Sequence, residues 1–227
     1  MTTSGAGARA GARAGTATAG GYAKGRARRA AIIHSAAEHF AQRGFRAVTI
    51  LDLAAACDIS RAGLLRYFPD KDALLQAVLE DRDRLDRERF RPYTRLGGGL
   101  GVLRGIVDLA GHNELTPGLI ELFVRLSGEA SDPEHPAHAY FAERYDRIRR
   151  GTAHALREAG EAGHLRAGTD PGDAAVRLTA LMDGLQTQWL FDRSVEMARH
   201  VREAVLALLN ERGAAAFEAL TPPALPD

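Results

Sequence analysis

Apolar positions recur along most of this chain with the period of a helix. From Arg26 onward, Ile32, Ile33, Ala36, Ala37 and Phe40 fall on one face while Arg28, Arg29, Glu38 and Arg43 fall elsewhere, so an amphipathic helix is predicted there. Gly44 supplies its stop and Phe45 an apolar plug behind it. Thr49 offers an N-cap side chain for a short second helix, with Leu53 and Ala54 inward and Asp52 near the positive end. Asp58 is one of the few non-glycine residue types that accepts a left-handed turn, Ile59 plugs that turn, and Ser60 caps a third helix from Arg61 to Phe68. Leu64 and Phe68 share its core face at i, i+4. Pro69 stops it, and Asp70 caps a fourth helix with Leu74, Leu75, Val78 and Leu79 as its stripe. Beyond them, EDRDRLDRERF reads as a charged, solvated rod laced by i,i+4 pairs.

A break at 91–99, with Pro92 and three consecutive glycines, separates this block from at least five further helical stretches. They run roughly over 100–112, 117–130, 136–160, 172–191 and 194–212, punctuated by Thr116-Pro117, Asp132-Pro133, His135-Pro136, Gly163 and Asp170-Pro171-Gly172. No alternating β-branched run is long enough for a sheet, so the fold class is all-α. Residues 1–24 are rich in Gly, Ala and Thr with scattered Arg and offer nothing to pack, which reads as a disordered basic arm. Such an arm serves either as a plain tail or as a minor-groove strand. The chain lacks both the apolar centre of a secretory signal and a membrane-length apolar run, so a cytoplasmic protein without a membrane partner is expected. The lone Cys57 fits a reducing compartment, in a packing role.

Two short helices meeting at a tight turn over residues 48–72 have the layout of a helix-turn-helix, whose second helix enters a DNA major groove. That helix leaves Arg61, Ala62, Gly63, Arg66 and Tyr67 outward. Charge agrees with this placement. Residues 1–80 carry a net +5 and the remainder −4, which puts positive charge where phosphates would be met, although a solvated surface of uneven charge gives the same count. Arg61 and Arg66 are the candidates for bidentate guanine contact, and Ala62 and Gly63 are small enough to let the helix close on the groove. The amides at Thr49 and Asp70 and the ammonium of Lys71 are candidates for phosphate contact. For both arginines the alternative is a solvated surface position.

The block DLAAACDIS at 52–60 and the block GLLRYFPDKDALLQAVL at 63–79, behind a first helix closed by Gly44-Phe45, resemble the TetR family of bacterial transcriptional regulators. The resemblance runs from about Arg26 to Leu79, with a local match in MDGLQTQWL at 182–190. It implies a three-helix DNA-binding head (25–72) joined by a long helix to a helical ligand-binding and dimerisation domain (73–227). It implies further a homodimeric repressor released from a palindromic operator by a small-molecule inducer, largely apolar, and no enzyme. Within the motif it implies that Thr49, Arg61, Tyr67 and Lys71 touch DNA, mostly phosphates; Ser60, the cap of the reading helix, is expected to bind DNA with them, as are Ala62, Gly63 and Arg66. Relatives often carry Thr at the place of Gly63, Tyr at that of Leu65 and His at that of Arg66. Two hydroxyl contacts are therefore absent, and Arg66 is the expected replacement.

The body is read with the same resemblance in view. Val176, Leu178, Leu181, Leu185 and Trp189, followed by Val201, Val205, Leu208 and Leu209, are more apolar positions than one internal stripe needs. They are the expected dimer seam, with ordinary monomer core as the alternative. Phe123, Phe141, Tyr145, Met182, Gln186 and Trp189 mix aromatic and polar groups as ligand pockets do, though core packing also uses such aromatics. His135, His138 and His154 lack metal-ligand spacing and are assigned capping and surface roles, and no cofactor is implied. No nucleophile elbow, phosphate loop or catalytic carboxylate pair is present. Two other classes stay open: a DNA-binding regulator free of small-molecule control, and a helical enzyme or carrier.

Overall fold

A computed structural model describes residues 15–223, with side chains described from Tyr22 onward. The described residues are all α-helical apart from turns and one 3-10 helix, as the periodicity predicts. The first block holds α1 (Gly15–Arg43), α2 (Ile50–Ala56), α3 (Arg61–Leu65) and α4 (Lys71–Phe90). After the 3-10 turn Tyr93–Arg95 come α5 (Gly99–Glu114), α6 (Pro117–Glu129), α7 (His138–Glu161), α8 (Pro171–Phe191), α9 (Met197–Leu208) and α10 (Glu211–Glu218).

The local signals of the first block act as expected. Gly44 closes α1 at φ +78°, a conformation that disfavours any side chain. Thr49 and Asp52 form a reciprocal capping box on α2, Asp58 turns left-handed at φ 50°, and Ser60 accepts the Gly63 N–H to cap α3. Ile32, Phe40, Leu53, Leu64, Leu74 and Leu79 are fully buried together. Deleting one of these large side chains would cost about 2–5 kcal/mol.

Four expectations are corrected. The helix does not begin at Arg26: α1 reaches back to Gly15, through a stretch whose four glycines give helix little intrinsic support, and of the expected arm only residues 1–14 lie outside the described residues. Helix α3 ends at Leu65 rather than Phe68, since the Tyr67 and Phe68 amides both turn onto the Leu64 carbonyl ahead of Pro69. The last stretch is two helices, α9 and α10, divided where Leu209 pairs in an isolated antiparallel bridge with Leu165 and Asn210 caps α10. The rod at 81–91 is only half solvated. Arg84 makes the expected surface pairs with Asp81 and Glu88, but Asp83 is buried and Arg82 and Asp86 are nearly so. Their positions continue the inward spacing of Leu75 and Leu79, so helical geometry carries them under α7 whatever their charge.

Two apolar cores result. The first joins α1–α4 to Leu122 and Leu126 of α6 and Phe141 of α7, so the helix-turn-helix block is not closed on itself. The second is built within α5–α10 around Leu103, Leu156, Leu178, Trp189, Val205 and Phe217. Helices α5 and α7 pass closely at Gly99, where a Cβ would strike the Ala155 carbonyl. No described helix is long and apolar enough to cross a membrane.

Candidate functional site

The exposed face of α3 and the ends of α2 and α4 form one surface. Arg61, Ala62, Arg66 and Tyr67 are exposed there, with Gly63 partly covered. Neither Arg61 nor Arg66 has an intramolecular ion pair or side-chain hydrogen bond among the described residues, so both guanidinium groups remain available. A Cβ at Gly63 would lie 3.2 Å from the Ser60 Oγ that caps the helix, so a larger residue there would press on the cap.

Thr49 and Lys71 border this surface but are already engaged. The Thr49 hydroxyl donates to Asp52 Oδ2 at 2.7 Å and accepts the Asp52 amide at 3.1 Å. The hydroxyl bond, with the Thr49 backbone amide donating to the same Oδ2 at 2.8 Å, holds the Asp52 carboxyl below the usual carboxylate range, and Arg43 assists more weakly. Lys71 Nζ donates to the carbonyls of Phe45 at 2.9 Å and Val48 at 3.0 Å and sits 4.2 Å over the Phe45 ring. The ammonium thus ties the start of α4 to the loop between α1 and α2, with at most one of its three protons left for a phosphate. A second tie comes from Arg28, whose guanidinium donates to the carbonyls of Cys57 (2.8 Å) and Asp58 (3.3 Å) at the turn before α3. Cys57 is partly buried against the first core.

Between α4, α5, α6, α7 and α8 lies a cavity of about 760 Å³. Of the residues predicted for a pocket, Phe123, Phe141, Tyr145, Met182 and Gln186 line it. Trp189 does not: its face of α8 turns into the second core, with Arg193 3.7 Å over the ring. Sequence reasoning missed the charged wall. Asp83 accepts from Tyr140 (2.9 Å), Arg144 (2.7 Å) and Arg147 (2.5 Å), and Asp86 pairs with Arg82 at 2.9 Å. Burial pushes the Asp86 carboxyl up and the Arg82 guanidinium down, each opposed by the other's charge. Burial likewise pushes the Tyr145 hydroxyl up to about 12, with Asp183 adding to the shift. Arg82 and Asp86 also line a smaller cleft of about 430 Å³ toward α1, so this pair partitions two spaces. Only the continuation of α4's inward spacing could have signalled that wall.

The α6–α7 connection docks on the first block. His135, expected at the surface, is 5% exposed, because its ring packs edge-on against Phe45 at 5.2 Å. Its Nδ1 accepts the Ala137 amide, and Arg46 pairs with Asp132 beside it. His138 lies with Nδ1 2.8 Å from the Ala130 carbonyl at the end of α6, a capping position. No metal-holding cluster of His, Cys, Asp or Glu occurs among the described residues.

The dimer seam expected on α8 and α9 is corrected in its residues. Leu178, Leu185, Trp189, Val201, Val205 and Leu209 are buried within the subunit, because α6 and α7 pack on α8, α5 packs on α9, and α8 and α9 pack on each other. Along its middle and end α8 exposes Val176 (52%), Arg177, Ala180, Thr187, Gln188 and Phe191 (90%), with Gly184 partly covered among them.

Comparison with known proteins addresses both halves. The family described as bacterial regulatory proteins, tetR family, matches residues 32–78, and that described as BetI-type transcriptional repressor, C-terminal, matches residues 112–213. The HTH-type transcriptional repressor Rv1474c of Mycobacterium tuberculosis is 27% identical over 159 residues, 70% of this chain and 80% of its own. A TetR-family transcriptional regulator from Rhodococcus sp. is 26% identical with a TM-score of 0.65, over 81% of this chain and 98% of that one. Two further structures share the fold. One is the SmeT–triclosan complex, 20% identical, TM-score 0.74, covering 88% of this chain and all 100% of its own. The other is a transcriptional regulator from Saccharomonospora viridis in complex with choline, 23% identical, TM-score 0.70, covering 81% and 98%. With its helix-turn-helix and its helical body both matched, the chain belongs to the TetR family of transcriptional regulators.

Proposed function

We propose that this regulator is a homodimeric repressor that grips a palindromic operator through α3 and leaves it when a small, largely apolar molecule fills the cavity beside α4. The observation that carries the DNA half is the pair Arg61 and Arg66, exposed on the reading helix with both guanidinium groups uncommitted. Each bidentate guanine contact is worth about 1–3 kcal/mol of discrimination. Thr49, Ser60, Ala62, Gly63, Tyr67 and Lys71 border the same face, the small residues permitting close approach and the caps fixing the helix ends. Lys71 acts chiefly by holding the helix-turn-helix in shape.

The ligand half rests on α4. Its first turns belong to the first core and its last turns wall the cavity, so the division between head and body falls inside this helix rather than at residue 72. A ligand seated against Asp83, Asp86 and Arg144 acts on the helix that carries the head, and shifts the balance between two head orientations by its preference for one of them. Phe123, Phe141, Tyr145, Met182 and Gln186 form its walls. Bound triclosan and choline in two proteins of the same fold support control by small molecules.

A mobility-shift titration with DNA flanking the protein's own gene tests the DNA half. A specific complex is expected, weakening by about 10³-fold or more between roughly 50 and 200 mM salt for six or more phosphate contacts. Absence of any specific complex at moderate salt would overturn the reading.

A further inference from the structure

We propose that the cavity's ligand carries a single positive charge on an apolar body and that Asp183 holds that charge beside Tyr145. This rests on the reading of the large cavity as the effector site. Three carboxylates line it, Asp83, Asp86 and Asp183. The first two are neutralised in place: Asp83 by Arg144 and Arg147, Asp86 by Arg82 at 2.9 Å and Arg144 at 3.7 Å. Asp183, across the cavity on α8, has no cation within ion-pair distance among the described residues. Its close partner is the Tyr145 hydroxyl, and Arg144 reaches it only through space.

The arginines give the complementary count. Arg82, Arg144 and Arg147 are spent on Asp83 and Asp86, and Arg87 is exposed and solvated at the rim. Away from that rim, an anionic ligand would have to take an arginine from a buried aspartate, which leaves that carboxylate uncompensated. The lining as a whole is not short of positive charge, with four arginines against three aspartates, but Asp183 has no ion-pair partner among the described residues, and a cation would supply it. Burial holds the Asp183 carboxyl above the usual carboxylate range, against the weaker pull of Tyr145 and Arg144, and a bound cation would favour its ionised form.

The surroundings suit such a molecule. Tyr145 and Phe141 lie 6.4 Å apart, and Phe141 and Phe123 5.9 Å apart, so a chain of electron-rich rings leads from the carboxylate into the cavity. Arg144, 4.7 Å over Phe123, already places one cation on a ring of this wall. Ile106, Ile120, Val124 and Leu178 provide apolar cover for the body of the ligand, and a volume of about 760 Å³ fits a drug-sized molecule. Thr179 and Gln186, one turn either side of Asp183, add neutral hydrogen-bonding groups on the same face of α8.

Tetraphenylphosphonium and tetraphenylborate, nearly equal in size and opposite in charge, separate the alternatives. Calorimetric titration of the full chain should show tighter binding of the phosphonium. Asp183→Asn should weaken that binding roughly 10–100-fold while leaving the borate no weaker. An unchanged phosphonium affinity in Asp183→Asn, a wild-type preference for the borate, or no phosphonium binding at all would overturn the proposal. Gly151→Trp, whose new side chain starts in open space on the cavity wall, separates the two levels of claim. If it blocks a probe that Asp183→Asn leaves untouched, the ligand's charge is wrong and the effector cavity stands. If it blocks neither probe, the cavity reading fails as well.

Discussion

Arg66 and Lys71 stand five positions apart in one motif and bring the same charge into different surroundings. Arg66 points from α3 into solvent, whereas Lys71 spends two of its protons on the Phe45 and Val48 carbonyls. Removing each should therefore fail differently. Arg66→Ala is expected to weaken operator binding by about 1–3 kcal/mol with the melting temperature unchanged. Lys71→Met is expected to lower unfolding free energy by about 1.5–3 kcal/mol for each charge-assisted bond lost and not replaced by water, with operator affinity falling as a consequence. Denaturant unfolding beside an anisotropy titration checks both, and a Lys71→Met protein of full stability would contradict the tether. The capping residues Thr49, Ser60 and Asp70 and the left-handed Asp58 were legible beforehand because their chemistry acts over three residues or fewer. Lysine 71 was not, since its partners lie 23 and 26 residues upstream.

At the scale of elements, legibility followed contrast. The stripe of α4 could be read while apolar residues marked it, and was lost where nearly every position became charged and the one leucine, Leu85, faces outward. The network of Asp83 with Tyr140, Arg144 and Arg147 continues that stripe in polar form. The α6–α7 connection was opaque for a similar reason, because a histidine between prolines gives no sign that a phenylalanine ring ninety residues earlier will cover it. Its burial has a pH consequence. Desolvation holds the His135 imidazole below its ordinary value against the weaker pull of Glu129, with Arg46 and Asp132 nearby. The unfolded chain then binds a proton that the folded chain refuses, so this share of stability is complete above the ordinary imidazole range and is lost as pH falls through it toward the lowered folded value. His112, also depressed mainly by burial, adds to the same slope. Melting temperatures of wild type and His135→Gln, followed from about pH 7.5 to about 5.5, should therefore converge on acidification. A constant gap would contradict the assignment.

For the whole molecule, the all-α class and the order of its helices followed from periodicity, while the assembly did not. Hydrophobicity marks a face for burial without saying whether its own subunit or a partner covers it, and α6, α7 and α9 claim most of the apolar positions on α8. The proposed seam is accordingly narrower: Val176, Ala180, Gly184, Thr187 and Phe191, a row with small residues at its centre that permits close helix approach. A Cβ at Gly184 meets nothing within 4 Å in the single subunit, so Gly184→Arg is expected to leave the subunit folded and convert a dimer to a monomer in sedimentation equilibrium. A dimer of unchanged strength would move the seam elsewhere. The dimer would set two reading helices on one operator, and a hydroxyl-radical footprint on the protein's own promoter tests both together. Two protected patches are expected, related by a dyad and centred about one helical turn of DNA or a multiple of it apart, on a near-palindromic sequence. A single unsymmetric patch, or uniform protection without register, would contradict it.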